Sequence, residues 1–258
     1  MDALVTAGGI PEPGDPLFEY TQGGPKAMLD ICGKPMIQWV MDALDQAETI
    51  GRVVVIGLSA DSHLKYSKEV AYLPDQGEMI DNIRAGVGKL LEMDPQPRRV
   101  MLVSSDVPAI APESLNWVVN TAMQTEDDLY YTVIPRHVME SRYPTSRRSY
   151  VHLQDIEACG GDVNVIHSGL VQGDDAFWRK LVAARKSAVK QAALIGYDTL
   201  ILLLLHRTTL DKAVKRVTNR LGLKGRAIVS PYAEIGMDVD KPHQLEIMRL
   251  DLSQRTPG

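Results

Sequence analysis

Apolar and polar positions follow two different rhythms along this chain. Val53-Val54-Val55-Ile56 and Val100-Met101-Leu102-Val103 are unbroken apolar runs, the pattern of a strand buried on both faces. Ala3–Thr6 and Leu129–Ile134 read as further strands. Between them, apolar residues return at helical spacing. Met36-Ile37, Val40-Met41, Leu44 and Ala47 place an amphipathic helix over Pro35–Ala47, with proline at its start. Met79-Ile80, Ile83, Val87 and Leu90-Leu91 make a second helix, entered after Gly77, and Pro112 opens a third through Met123. This alternation predicts an α/β fold: an open, mostly parallel sheet with helices on both faces. Ligands of such sheets bind beyond the carboxyl ends of the strands. The residues after Thr6, Ile56 and Val103 are therefore expected to meet at one crevice.

The rhythm fades in the second half. Arg136–Tyr150 is polar and basic, with Arg136, Arg142, Arg147 and Arg148, and reads as a mobile loop. Tyr150–Leu153 and Val163–His167 read as short strands about Gly160-Gly161. A helical block is expected from about Asp174 to Leu221, stopped by Gly222. Strands at Arg226–Ser230 and Ile235–Val239 and a closing helix at Pro242–Leu250 complete the chain. With no internal repeat or low-complexity linker, residues 1–258 read as a single domain with a helical insertion in the C-terminal half.

Composition narrows the partners. The net charge is −5 and no basic stripe is present, which argues against nucleic acid. The two cysteines, Cys32 and Cys159, are far apart and have no metal-ligand spacing, which fits a reducing, cytoplasmic setting. The most apolar segment, Ala192–Leu205, is interrupted by Gly196 and Asp198 and is too short for a bilayer core of ~30 Å. It reads as a buried helix or as a face that pairs two copies. No membrane partner is expected, and a homodimer is left open.

Five stretches carry candidate chemistry. Leu4-Val5-Thr6-Ala7-Gly8-Gly9 is a strand ending in two glycines, whose bare amides can approach an anion closely; Lys26 follows after a turn-rich loop, Ile10–Pro25. An ordinary Gly-Gly turn is the plainer reading. Ser104-Ser105-Asp106-Val107-Pro108 brings a carboxylate to the end of a central strand, where it either binds a hard cation such as magnesium or caps a turn. In Gly236-Met237-Asp238-Val239-Asp240-Lys241-Pro242 an extended backbone puts Asp238 and Asp240 on one face; they repel unless a cation or a base lies between them. Asp240 is also well placed to cap the helix that follows. Gly160-Gly161-Asp162-Val163-Asn164 presents an acid and an amide suited to hydroxyl groups of a second substrate, or is merely a hairpin turn. Pro74-Asp75-Gln76-Gly77-Glu78, with Asn82 one turn into the helix, offers a helix start that either receives a base or ribose or is only capped.

Together these residues resemble one family. In order along the chain, Leu4–Gly9, Pro25-Lys26 before Gly33-Lys34-Pro35-Met36, Ser105-Asp106-Val107-Pro108, Gly161-Asp162-Val163-Asn164 and Asp238-Val239-Asp240-Lys241-Pro242 are similar to the NTP transferases of the molybdenum-cofactor guanylyl- and cytidylyltransferase-like type. The resemblance implies the three-layer, GT-A-like and Rossmann-like fold of nucleotide-diphospho-sugar transferases. Residues 1–135 would form the nucleotide-binding half and 136–258 the acceptor-binding and helical half. It implies a magnesium-dependent nucleotidyltransferase that moves an NMP group from an NTP to a phosphorylated small-molecule acceptor and releases pyrophosphate. Backbone amides of Ala7, Gly8 and Gly9 would hold the nucleotide together with Asp75, Asn82 and Ser105. Lys26 would neutralise the triphosphate, with Lys26 and Asp106 the catalytic pair. Asp106 and Asp240 would bind the metal, with Asp238 as the substitute ligand. Gly161, Asp162, Asn164 and Arg147 would face the acceptor.

One departure stands out. The family's glycine-rich loop usually carries an arginine and reaches its lysine sooner. Ile10–Pro25 has no arginine and has acids at Glu12, Asp15 and Glu19, so triphosphate charge would rest on Lys26, metal and an arginine from elsewhere, such as Arg84 or Arg147. A nucleotide-sugar-dependent glycosyltransferase of the same fold is the alternative enzyme. Such enzymes usually keep their Asp-x-Asp at a mid-chain strand end, where this chain has only Asp106. A non-catalytic nucleotide-binding protein is the other alternative, motivated by the missing arginine. No Gly-x-Gly-x-x-Gly follows the first strand, which disfavours a dinucleotide-dependent dehydrogenase.

Overall fold

The computed structural model describes residues 1–96, 99–172, 202 and 205–255. The first apolar run forms β1 (Asp2–Thr6), and the loop behind it contains a short helix, α1 (Phe18–Thr21). A two-stranded hairpin, β2 (Asp30–Ile31) and β3 (Lys34–Pro35), leads into α2 (Met36–Gln46), whose Ile37, Val40, Met41 and Leu44 are fully buried. Then come β4 (Val53–Ile56), β5 (Val70–Leu73), α3 (Met79–Met93), β6 (Arg99–Ser104), α4 (Pro112–Ala122) and β7 (Leu129–Pro135). Proline opens α4, and the Ala111 N–H donates to Ser114 Oγ at 3.2 Å, which satisfies one orphan group of the first turn. The second half holds α5 (Arg136–Arg142), β8 (Val151–His152), β9 (Glu157–Gly160), β10 (Val163–His167), α6 (Gly169–Gln172), α7 (Leu210–Leu221), β11 (Gly225–Val229) and α8 (Pro242–Ser253).

Among the described residues nine strands make one open sheet. Its path is β5-β4-β1-β6-β10-β7-β9-β8, with β11 paired to β7. The block β5-β4-β1-β6 is parallel throughout, β10 enters antiparallel between β6 and β7, and β11 runs parallel to β7. The chain places β4 on one side of β1 and β6 on the other. That reversal of winding makes the carboxyl end of β1 the switch point of the sheet. Side chains alternate between two cores. Ala3, Val5, Val53, Val55, Met101 and Val103 pack with α2, α4 and α8, whereas Leu4, Val54, Ile56 and Val100 pack under α3. Burial of each such valine or leucine contributes ~2 kcal/mol, so the parallel block is firmly held.

Several sequence expectations are corrected here. The basic stretch Arg136–Tyr150 is not a loop throughout, since it begins with the helix α5. Ile235–Val239 is not a strand. Ala233–Gly236 forms a 3-10 turn, and Ile235, Met237 and Val239 alternate into the core without a ladder partner. β5 and β9 were not expected; β5 is half-buried along its length and carries no strong pattern. The expected helical block Asp174–Leu221 is interrupted: residues 205–209 are a turn and extended chain, and the helix α7 begins at Leu210 and ends at Gly222 with φ of +71°. Its earlier part and most of Ala192–Leu205 lie outside the described residues. Among the described residues no helix is long and apolar enough to cross a membrane.

Candidate active site

At the carboxyl ends of β1 and β6 lies a cavity of about 260 Å³. β1 and its glycines supply Thr6, Gly8 and Gly9; β6 and the following turn supply Ser104, Ser105 and Asp106. Asp75, Gly77, Met79 and Asn82 close the side formed by the start of α3, and Lys26 closes the front. Thr6 and Ser104 were not anticipated, because nothing in their local sequence separates a strand-end hydroxyl from an ordinary one.

The backbone at this end is set by close approach. Gly57 has φ of +99°, and a Cβ there would lie 2.2 Å from the Gly8 backbone. Only glycine fits that contact in that conformation. The Ala7 N–H is not available to a nucleotide, since it donates to the Ile56 carbonyl at 2.8 Å and continues the parallel ladder. That corrects the expected role of Ala7. No hydrogen bond among the described residues takes the N–H groups of Gly8 and Gly9. The Gly9 carbonyl accepts from the Lys26 N–H at 2.9 Å, so the loop 10–25 returns to the point where it left. Ser105 is buried, and its N–H donates to the Thr6 carbonyl at 3.1 Å. Asn82 Nδ2 donates to Asp75 Oδ1 at 2.6 Å while its Oδ1 accepts from the Gln76 N–H at 2.8 Å. Asn82 thus holds the Asp75–Gly77 turn against the glycines instead of pointing freely into the cavity.

Charge collects at the front. Lys26 Nζ donates to Asp106 Oδ2 at 2.7 Å and to Asp240 Oδ1 at 2.5 Å. Burial works against the ammonium, and the two carboxylates outweigh it, so the Lys26 pKa lies above its ordinary value. Asp240 does not cap α8 with its side chain; its own N–H is held by Gln244 Oε1 at 2.9 Å, which leaves the carboxylate for Lys26. Asp238 turns away. It pairs with the Arg148 guanidinium, both side chains being largely buried, so the shared face expected for Asp238 and Asp240 does not form and Asp238 is no substitute ligand.

The donor set suits a hard divalent cation. Asp106 and Asp240 aim carboxylate oxygens at one point, and Asp106 Oδ1 is buried without a hydrogen-bond partner. Among the described residues no three His, Cys, Asp or Glu side chains gather closely enough to hold a metal unaided. Two carboxylates with substrate phosphates and water are the arrangement magnesium favours.

Asp162 reaches the same centre by a bulge. Gly160 stands opposite Val133 and Val165 opposite Tyr130, so Gly161–Asn164 on one strand face only Tyr131 and Thr132 on the other. Such a bulge re-aims a side chain. Asp162 is half-buried, and its Oδ2 is buried without a hydrogen-bond partner. Burial first, then the Asp106 and Asp240 charges, push its carboxyl up to about 7 against the opposing pull of Arg148 and Lys26. Asn164 is consumed by the bulge: its Oδ1 accepts from the Thr132 N–H at 2.9 Å and its Nδ2 donates to the Gly161 carbonyl at 3.1 Å. Gly161 is likewise structural, with Thr132 Oγ1 2.2 Å from where a Cβ would be. Gly161 has no side chain, and Asn164 spends its Oδ1 and one Nδ2 hydrogen within the bulge. Arg147 is exposed with φ of +52° and faces away, whereas Arg148 sits in the interior beside Asp238 and Asp162. Two adjacent arginines differ only in the direction of the backbone, which no sequence signal reports. Arg84 lines a separate cavity with Gly88, Leu91 and Val171. Among the described residues that line the cavity, Lys26 is accordingly the sole cationic side chain.

Comparison with known proteins places this geometry. A family model described as a MobA-like NTP transferase domain matches residues 20–230, which include Lys26, Asp106 and Asp162. A solved structure of a hypothetical transferase from Thermus thermophilus is similar at 30% identity over 95% of this chain and 98% of that one, with a TM-score of 0.82. A CMP-2-keto-3-deoxy-manno-octonic acid synthetase complexed with CTP shares the fold at 14% identity and a TM-score of 0.59, covering 99% of both chains. The bifunctional protein GlmU of Thermoanaerobacter pseudethanolicus is 30% identical over 101 residues, 37% of this chain and 21% of that protein. The chain thus spans about a fifth of the length of the curated relatives it matches.

Proposed function

The chain belongs to the MobA-like NTP transferase family, and on that premise we propose that it transfers a nucleotidyl group from an NTP to a phosphorylated small-molecule acceptor. An acceptor phosphate oxygen forms a bond to the α-phosphorus, the bond from that phosphorus to the β-phosphate oxygen breaks, and pyrophosphate leaves. The observation that carries this reading is the Lys26 ammonium held between Asp106 and Asp240 at the mouth of the glycine-floored cavity.

Each residue then has a task. The Gly8 and Gly9 amides donate to phosphate oxygens. Lys26 follows the charge that builds on the departing phosphates. The Asp75–Asn82 turn closes on the base and ribose, and Ser105 lines the same wall. Asp106 and Asp240 would hold magnesium. Bound there, the ion would screen the phosphate oxygens and stabilise developing charge. Asp162 faces the acceptor side of the same centre, with Arg148 behind it. No nucleophilic side chain is needed, because alignment and charge stabilisation supply the rate.

The test is pyrophosphate release from each NTP across a panel of phosphorylated acceptors. Asp106→Ala should lower kcat by ~10²–10³-fold. No release with any pair, alongside nucleotide affinity unchanged in Asp106→Ala, overturns the reading.

A further inference from the structure

Lys26 is the cation that a triphosphate requires, yet its ammonium is engaged elsewhere. Nζ lies 2.7 Å from Asp106 Oδ2 and 2.5 Å from Asp240 Oδ1, the two carboxylates that fit a divalent ion. Both salt bridges use one nitrogen, and that nitrogen lies where a shared metal ion would lie. A divalent cation shared by the same two oxygens would meet the ammonium, and like-charge repulsion opposes binding both. The Lys26 backbone, in contrast, is fixed: its N–H is bonded to the Gly9 carbonyl beside the open amides of Gly8 and Gly9. A four-carbon stem on a fixed root can carry the ammonium either to the carboxylates or toward an anion at the glycines. Lys26 lines that cavity already.

We infer that Lys26 is a latch on the metal site: without nucleotide its ammonium fills the cation position between Asp106 and Asp240, and a triphosphate seated at Gly8–Gly9 draws it away and opens the pair to metal. The nucleotide part of this inference rests on the proposed transfer reading; the competition between ammonium and metal does not. Binding is then ordered. Free divalent metal binds the empty protein poorly, and metal and triphosphate bind cooperatively. The arrangement also settles the carboxylates when no metal is present, since Asp106 and Asp240 would otherwise repel each other.

The test is Mn²⁺ titration of the nucleotide-free, full-length protein, followed by electron paramagnetic resonance and calorimetry. Lys26→Met should bind Mn²⁺ at least tenfold more tightly than the wild type. Lys26→Gln, which is one atom shorter but keeps a neutral donor for the carboxylates, serves if the first variant unfolds in urea too readily to be titrated. It should bind more tightly as well. Adding Asp240→Asn to either should abolish the gain. With a non-hydrolysable triphosphate analogue present, the gap between wild type and variant should close. Equal or weaker Mn²⁺ affinity in both variants overturns the latch even if the wild type releases pyrophosphate. Tighter Mn²⁺ binding in the variants supports it, even where no NTP and acceptor pair reacts, a result that would count against the transfer reading alone.

Discussion

The carboxyl end of β1 and the bulge between β9 and β10 meet at one crevice and arrive by opposite means. β1 and β4 keep a regular parallel ladder up to the Ala7 N–H, and the chain then presents bare backbone at Gly8 and Gly9. The bulge breaks its ladder, repairs the break with the Asn164 side chain, and presents one carboxylate with a buried oxygen, Asp162. Regularity on the first side leaves two open amides at little cost in stability. Irregularity on the second aims a charge inward and leaves it poorly compensated. The contrast predicts that the acidic side limits stability and that the glycine side depends on shape.

The largest break in that contrast should come from Asp162. Its folded pKa of about 7 lies above the ordinary carboxyl value of 3.8, so between those pH values the native state holds a proton that the unfolded chain has released. Stability therefore falls as pH rises from about 4 to about 7. Asp162→Asn should match the wild type near pH 4 and exceed it by on the order of 4 kcal/mol above pH 8, read from urea unfolding in metal-free buffer. Parallel pH profiles for the two proteins would show that Asp162 bears no such burden.

Gly57→Ala tests the other side. The added methyl group meets the Gly8 backbone at 2.2 Å in a left-handed conformation, and a loss of ~3 kcal/mol is expected, with no pH dependence. A urea midpoint within error of wild type would mean that the two glycine segments slide apart freely. The smallest of the three effects is Asn164→Ala, which leaves the Thr132 N–H and the Gly161 carbonyl without partners. It should cost ~2 kcal/mol by thermal unfolding. It should also flatten the pH profile of stability, because Asp162 is no longer held inward; an unaltered profile would separate the bulge from the carboxylate.

Legibility in the sequence follows the same division. β1, β4 and β6 are buried on both faces, so composition alone marks them, and the convergence of Gly8, Lys26 and Asp106 follows from where those strands end. The bulged half hides its logic. Asn164 reads as a ligand and works as a ladder repair. Met237 and Val239 alternate with Asp238 and Asp240 as a strand would, but the alternation belongs to irregular chain that follows a 3-10 turn and packs into the core. Arg147 and Arg148 are chemically identical neighbours, and a backbone with φ of +52° at the first decides which one enters the interior. β5 escaped because an edge strand with half-buried residues has no contrast between its faces. Properties set by burial pattern are local and readable, whereas those set by register and side-chain partners depend on distant segments.

The bond from the Lys26 N–H to the Gly9 carbonyl has one further consequence. It pinches off the excursion 10–25 at its base, leaving Leu17 as a plug in the core and Glu12, Asp15 and Glu19 in solvent. Because closing a loop costs only ~0.6 kcal/mol for each doubling of its length, the excursion can grow, shrink or change sign of charge while both ends of the clasp stay put. It is a spliceable cassette. Drift or a protein engineer can rewrite its exposed positions so long as Leu17 still fills its place in the core.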